Sequence, residues 1–273
     1  MKKLFLCLLT VVFLLAGAGL VSAQSIDLAK ASVLTEIQKQ GVLRVGMEAG
    51  YMPFEMKNKK GEVIGFDVDM VTEMAKAMGV KLELVNTQWD GIIPALMTKK
   101  FDLIASGMTV TQERNLQINF ADPYITVGQT ILLAKKYEGQ ITGYEQLNDP
   151  KYNVATKLGT TGDFAAKKHI PNATRVAFET EQEGALDVLN GKADAFVYDH
   201  PFNAIFNARN LGKMVFLDKP FTYEPLGWAI RKGDPDFLNW LNNFLRQLKG
   251  DGKYDEIYAK WFHSNDWLKE VQE

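Results

Sequence analysis

The chain has 273 residues, of which 47% are hydrophobic and 23% are charged, and its formal net charge is −2 at pH 7. This length and balance predict one large or two smaller globular domains with a substantial core, and they exclude a disordered or fibrous chain. The slightly acidic charge gives no reason to expect nucleic acid as a partner.

The first residues have the features of a secretory signal peptide. Lys2 and Lys3 precede an apolar stretch that begins at Leu4 and ends in the small residues Val-Ser-Ala at 21–23. We expect cleavage of residues 1–23 after Ala23 and a mature protein in the periplasm. The apolar stretch is close to membrane-spanning length, so an uncleaved anchor is the alternative.

Strand and helix patterns alternate after the signal. A short amphipathic helix near residue 33 precedes a strand at 42–47, and the loop after it carries two aromatic residues. A helix is predicted within 65–79, where apolar residues recur at helical spacing. A strand at 80–86, a helix at 91–100 and a strand at 101–106 continue a pattern that is typical of a mainly parallel sheet covered by helices.

The same alternation restarts in the second half of the chain. Strands are predicted at 152–156, 174–179 and 193–199, with helices between them. The two sets indicate two α/β lobes with separate sheets, and the lack of a low-complexity linker favours direct strand crossings between them. A closing helix near residues 237–248 has one strongly apolar face, which must pack on an apolar surface.

Two donor-rich turns follow predicted strands, at 105–114 (ASGMTVTQER) and at 157–163 (KLGTTGD). Arg114 offers paired donors that fit a carboxylate, and backbone N–H groups at a helix start would add to them. The alternative is a surface arginine with Thr109 and Thr111 as helix caps. One such turn in each lobe indicates a ligand held from both sides.

Asp199, at the end of the strand 193–199, supplies the opposite charge. It has two interpretations, as a partner for a positive ligand group or as the N-cap of the next helix.

The residue patterns of common enzyme sites are not found in the sequence. His169, His200 and His263 lack the paired spacing of a zinc site, and neither a glycine-rich phosphate loop nor a Gly-x-Ser-x-Gly elbow occurs. The only cysteine, Cys7, lies in the signal segment. We therefore expect no catalytic residues, no metal site and no cofactor.

The chain resembles the periplasmic solute-binding proteins of polar amino-acid ABC importers, bacterial extracellular solute-binding protein family 3. The resemblance extends from about Leu43 to Trp261. It is carried by the segments GFDVDMVTEMAKAMG (65–79), YMPF (51–54), WDGIIPAL (89–96), SGMTVTQER (106–114) and FADPY (120–124).

The resemblance implies an α/β, two-lobed periplasmic-binding-protein type II fold with a two-segment hinge. Lobe one would comprise residues 24–126 and 222–273, and lobe two residues 127–221. The hinge is expected near 124–128 and 219–224. A monomer is expected, with the membrane permease subunits of an ABC transporter as its protein partner.

The resemblance also implies roles for particular residues. Arg114 would bind the α-carboxylate of a free L-amino acid, aided by the backbone N–H groups of Thr109 and Thr161. Asp199 would bind the α-ammonium, together with the carbonyl of Gly107 and the Thr109 hydroxyl. With Tyr198 as a further candidate, the predicted ligand-binding residues are Glu48, Tyr51, Trp89, Ser106, Gly107, Thr109, Arg114, Lys157, Thr161, Gly162 and Asp199.

The ligand side chain is expected to meet both Glu48 and Lys157. A neutral amide can donate to the carboxylate and accept from the ammonium, which predicts a polar neutral amino acid, with glutamine first. If Glu48 and Lys157 instead paired with each other, a smaller or more apolar ligand would fit.

Two other functions share this fold. Cyclohexadienyl dehydratases resemble the family but carry a general-acid glutamate in the lobe-two turn, where this chain has Gly162 followed by Asp163. The ligand-binding component of a periplasmic sensor would have the same site and a different partner. Delivery of a bound amino acid to an importer is the function that the resemblance favours.

Overall fold

The computed structural model describes residues 32–271, so the predicted signal peptide and its cleavage site lie outside the described residues. The helices are α1 Val33–Gln40, α2 Phe66–Met78, α3 Trp89–Met97, α4 Gln112–Asn115, α5 Thr161–His169, α6 Glu181–Leu189, α7 His200–Arg209, α8 Pro235–Gly250 and α9 Lys253–Tyr258. The strands are β1 Val42–Met47, β2 Met56–Lys57, β3 Val63–Ile64, β4 Lys81–Asn86, β5 Leu103–Ile104, β6 Asn119–Phe120, β7 Ile125–Val127, β8 Gln129–Ala134, β9 Asn153–Lys157, β10 Thr174–Phe178, β11 Ala195–Asp199, β12 Met214–Leu217, β13 Glu224–Leu226 and β14 Ala229–Ile230.

Two five-stranded sheets form the centres of the two lobes. The first has the strand order β4-β1-β5-β14-β6, and the second has the order β10-β9-β11-β8-β12. Strand β1 runs parallel to β4 and β5, and β9 runs parallel to β10 and β11. The two-lobed α/β fold expected from the sequence is therefore confirmed.

The lobes are joined by an antiparallel pair of strands. Strand β7 pairs with β13 through the register Ile125 with Leu226 and Val127 with Glu224. Tyr124, directly before β7, is buried, and its carbonyl accepts a hydrogen bond from the Tyr254 hydroxyl at 2.8 Å. These two crossing segments form the hinge, while the exact lobe boundaries stay a prediction.

The closing helix packs as its amphipathic pattern predicts. In α8, Phe237, Leu241 and Leu248 are buried in the largest hydrophobic cluster. Asp234 begins this helix by accepting from the Phe237 N–H at 3.0 Å, and it also accepts from Ser32 Oγ at 2.8 Å and from the Val33 N–H at 2.6 Å. One side chain thus fixes the starts of both α8 and α1.

Within residues 32–271, no helix combines the length and apolar character needed to cross a bilayer. The same part of the chain contains no group of three or more His, Cys, Asp or Glu side chains arranged to hold a metal ion.

Candidate functional site

A cleft lies between the two lobes, and its empty space is about 340 Å³ when the part open to solvent is included. Ten of the eleven residues predicted from the sequence line it. Gly162 lies behind it, where an added Cβ would come within 2.8 Å of Gln129 Oε1 and 2.9 Å of the Val197 carbonyl oxygen. The lining residues are Glu48, Tyr51, Glu55, Trp89, Ser106, Gly107, Thr109, Arg114, Lys157, Thr160, Thr161, Tyr198 and Asp199.

Arg114 is brought to the cleft by the short helix α4. Thr111 caps this helix by accepting from the Arg114 N–H at 3.1 Å, whereas the Thr109 hydroxyl lies 3.3 Å from that of Thr161. The Arg114 side chain is only 7% exposed, its Nη1 donates to the Thr109 carbonyl at 2.9 Å, and the guanidinium carbon lies 5.3 Å from the ring centroid of Trp89. The interpretation as a surface arginine is wrong, and the interpretation of Thr111 as a cap is correct.

Burial lowers the pKa of the Arg114 guanidinium, and the nearby carboxylates of Glu224 and Asp199 partly offset this effect. The guanidinium stays charged at neutral pH because the ordinary pKa of an arginine side chain lies far above 7. A buried positive charge beside a cleft favours an anionic group there.

Asp199 occupies the N-cap position of α7, but its side chain makes no capping hydrogen bond. Its carboxylate instead accepts from the Tyr51 hydroxyl and, at 2.5 Å, from Gln129 Nε2. The residue is 5% exposed, and burial raises its pKa to about 7 despite these two donors. The capping interpretation of Asp199 is therefore wrong.

The two lobes contact each other across the cleft. Trp89 Nε1 donates to the Gly159 carbonyl at 3.2 Å, and Tyr51 of the first lobe donates to Asp199 of the second. Arg114 and Asp199 are thus contributed by opposite lobes to one enclosed space. An arrangement of this kind can surround both ends of a zwitterion.

Glu48 and Lys157 line the end of the cleft where the ligand side chain is expected, and Glu181, which is not a lining residue, contacts Lys157. Lys157 Nζ donates to Glu48 and, at 2.8 Å, to Glu181, and both Lys157 and Glu181 are 2% exposed. Burial alone would lower the pKa of Lys157, but the Coulomb attraction and hydrogen bonds of the two glutamates raise it. The Glu48–Lys157 pair that the sequence analysis gave as the alternative is therefore formed, but Glu181 adds a second carboxylate, so with both carboxylates ionised the triad carries a formal charge of −1.

The sequence reasoning missed Glu181, Glu55, Thr160 and Gln129, and named Tyr198 only as a candidate. Glu181 begins α6, directly after β10, and β10 runs parallel to β9. Because parallel strands end at the same edge of a sheet, the position of Glu181 beside the predicted turn 157–163 was a usable signal. Glu55 and Gln129 gave no such signal.

Comparisons with known proteins agree with this architecture. The family model "Bacterial extracellular solute-binding proteins, family 3" matches residues 43–264. A "Probable histidine-binding protein" of Neisseria gonorrhoeae is 38% identical over 226 residues, which cover 81% of this chain and 83% of that protein.

Two solved structures are also similar. A binding component of an ABC transporter from Wolinella succinogenes DSM 1740, complexed with lysine, is 57% identical with a TM-score of 0.82. The ancestral amino acid-binding protein AncCDT-1, described as a precursor of cyclohexadienyl dehydratase, is 51% identical with a TM-score of 0.81. Each comparison covers 85% of this chain and 100% of the other. The chain therefore belongs to family 3 of the bacterial extracellular solute-binding proteins, a family whose members bind amino acids for ABC transporters.

Proposed function

We propose that this protein binds a free L-amino acid between its lobes in the periplasm and delivers it to the membrane permease subunits of an ABC importer. The observation that carries the proposal is the pair of buried, opposite charges that face one cleft, Arg114 from the first lobe and Asp199 from the second. A buried charge without a partner is costly, so the two residues fit the α-carboxylate and α-ammonium of one ligand.

The charge triad favours a cationic ligand side chain. The sequence-based preference for glutamine treated Lys157 as one positive charge opposed by Glu48 alone. Glu181 adds a second carboxylate, so the triad has a formal charge of −1 that a lysine, arginine or histidine side chain would neutralise. The Wolinella relative complexed with lysine supports the same class.

A neutral amide side chain is the second candidate. An ammonium group has three N–H donors, and two of those of Lys157 point to Glu48 and Glu181. An amide oxygen could accept from the third, as the sequence-based prediction of glutamine requires.

Binding is favoured over catalysis by the contacts of Asp163. This residue is the nearest carboxyl group in sequence to the general-acid position of the dehydratases. Its side chain is buried within lobe two, where it accepts from Thr156 at 2.9 Å, from Lys167 at 2.9 Å and from Arg175 at 2.5 Å. Because these three contacts hold the Asp163 side chain within lobe two and it does not line the cleft, we propose no enzymatic role.

The experiment is a thermal-shift screen of ligand-stripped protein against all common L-amino acids, followed by calorimetry on the hits. We expect a cationic amino acid to raise the melting temperature most, because ligands that bind only the folded state stabilise it. The D-enantiomer of each hit is the control, since it cannot place both α-groups correctly.

Glu181→Gln tests the choice of side chain. Removing one carboxylate should reduce the preference for lysine over glutamine by about tenfold or more. Glu138→Gln, an exposed glutamate outside the cleft, is the matched control. Stabilisation by glutamine alone would favour the amide candidate, and a flat response to every amino acid would refute the binding function.

A further inference from the structure

Two fully buried carboxyl groups lie at the wall of the cleft, Glu55 as a lining residue and Asp67 next to it without lining the cleft. Glu55, in the loop after Tyr51, and Asp67, in the first turn of α2, are each 0% exposed. Ser106 Oγ donates to Glu55 Oε1 at 2.6 Å, and the Gly107 N–H donates to Asp67 Oδ2 at 2.9 Å. The pair therefore holds the two adjacent residues of the turn that lines the cleft.

The same pair also touches the hinge. The Tyr124 hydroxyl donates to Asp67 Oδ2 at 2.9 Å, and Tyr124 directly precedes the hinge strand β7. Asp67 thus connects the cleft turn, through Gly107, with the segment that crosses between the lobes.

In each carboxyl group, one oxygen accepts the hydrogen bonds described above and the second oxygen accepts none from the residues described. Within residues 32–271, Glu55 Oε2 and Asp67 Oδ1 are buried without a hydrogen-bond partner, and the two carboxyl groups are close enough for each to shift the pKa of the other. One proton between the two oxygens would satisfy both at once. Buried carboxylates in contact cannot both ionise easily, so retention of a proton is the expected state.

Burial is the largest cause of raised pKa values in both groups. It raises the pKa of Asp67 to about 7, although the donors Gly107 and Tyr124 act in the opposite direction. For Glu55, burial and the charge of Asp67 together raise the pKa well above its usual range. The donors on Asp67 indicate that Asp67 is the partner that ionises first, with Glu55 holding the proton.

We infer that Glu55 and Asp67 are positioning residues that share a proton at the wall of the cleft, and that ligand binding at Gly107 and Asp199 drives the pair to release a proton. This inference rests on the proposed function. The ligand ammonium is expected at the carbonyl of Gly107, the residue whose N–H donates to Asp67. A positive charge there favours the ionised pair, so by linkage affinity rises as the pair loses its proton.

The other groups that face the pair do not cancel this effect. Lys157 and Glu181 approach Glu55 from the second lobe, and they are already paired with each other. The hydroxyl groups of Tyr51, Tyr124, Tyr198 and Tyr254 also lie within electrostatic reach, and each has a raised pKa that keeps it neutral at physiological pH.

The test is a proton count on binding. L-Lysine is titrated calorimetrically at pH 6 in buffers of different ionisation enthalpy, which yields the number of protons released. Asp199, whose pKa is also about 7, can release at most one. We therefore expect wild type to release more than one proton.

Two variants assign the additional proton. Asp67→Asn keeps an acceptor for the Gly107 N–H and the Tyr124 hydroxyl but removes the group that ionises, so the count should fall by about one. The double variant Glu55→Gln, Asp67→Asn removes both titrating groups and should release the same number of protons as the single variant. Glu62→Gln, an exposed glutamate, should release as many protons as wild type. Equal counts in wild type and Asp67→Asn would overturn the inference.

A measurement on wild type alone covers the case in which the variants do not fold or L-lysine does not bind. Carboxyl ¹³C spectra of the ligand-free protein should contain a buried aspartate resonance that titrates near pH 7 beside a glutamate that stays protonated. Two buried carboxyl groups that both titrate below pH 5 would exclude a shared proton. Failure of L-lysine to bind, with this titration intact, would count against the proposed ligand only.

Discussion

Arg114 combines deep burial with a side chain that faces the cleft, so its removal tests binding with limited damage to the core. Arg114→Ala should lower the affinity for the best amino-acid ligand about thirtyfold or more, because loss of a charge-assisted pair costs roughly 2 to 5 kcal/mol. Calorimetry gives the affinity, and circular dichroism checks the fold. Arg246→Ala, at an exposed arginine of α8, should bind like wild type. Affinity within threefold of wild type in Arg114→Ala would remove this residue from the site.

Asp199→Asn should affect stability and binding in opposite directions. The raised pKa of Asp199, about 7, means that between pH 4 and pH 7 the folded state retains a proton that the unfolded chain releases. Asp199 therefore costs the folded state stability as pH rises through this window, and Asn avoids the cost. We compare the unfolding free energies of the ligand-free variant and the ligand-free wild type. Their difference should shift in favour of the variant by about 2 to 4 kcal/mol between pH 4 and pH 7.

Denaturant titrations should show a larger stability advantage of the variant at pH 7.5 than at pH 4.5. Calorimetry at pH 7.5 should show that the variant binds the ligand more weakly than wild type. Gln129 can accommodate the Asn amide by rotating its own amide, since its Oε1 is without a partner within residues 32–271. A variant that loses stability and binds normally would mean that Asp199 has a structural role.

Residue identity alone left Arg114 and Asp199 ambiguous, because both positions also suit a helix terminus. Burial in the cleft decides the role of Arg114, and the contacts of Tyr51 and Gln129 decide that of Asp199; these contacts join residues that are far apart in sequence. The cleft turns themselves were predictable from their donor content. Glu55 was not, because nothing in its neighbourhood distinguishes it from a solvated loop glutamate.

At the scale of the elements, the sequence predicted the helices and parallel strands well and the antiparallel strands poorly. Strand β1 lies where its alternating pattern indicates, and α2 ends at Met78 before the glycine that caps it. Strand β8 was missed, since all six of its residues are buried and show no alternation. Strand β14, only two residues long, owes its place to the neighbours β5 and β6 rather than to a pattern of its own.

The junction of α1 and α8 depends on one carboxylate. Asp234→Ala would leave three donors, from Ser32, Val33 and Phe237, without their acceptor. We expect the unfolding free energy to fall by about 1 to 3 kcal/mol, measured by denaturant titration. Asp236→Ala, two residues further along and exposed, is the matched control and should change stability by less than about 0.5 kcal/mol. Equal effects of the two substitutions would refute the shared cap.

At the scale of the whole molecule, binding groups on opposite lobes predict closure that depends on ligand. Within residues 32–271 two crossing segments join the lobes, so rotation about β7 and β13 can separate Arg114 from Asp199. Small-angle scattering should show a smaller radius of gyration with saturating ligand than without it. Arg114→Ala at the same ligand concentration should stay at the larger value. Identical radii for wild type in both conditions would indicate a rigid cleft.

The strand order of the first sheet has a consequence for how the chain folds. Strand β14 lies between β5 and β6, yet it follows the entire second sheet in sequence, whose strands all come from residues 129–217. As the chain grows from its N-terminus, the second lobe has all its strands before the first can complete its sheet. Contacts that distant in sequence form slowly. The second lobe is therefore expected to nucleate early, while an incomplete first sheet stays open until the last strand arrives.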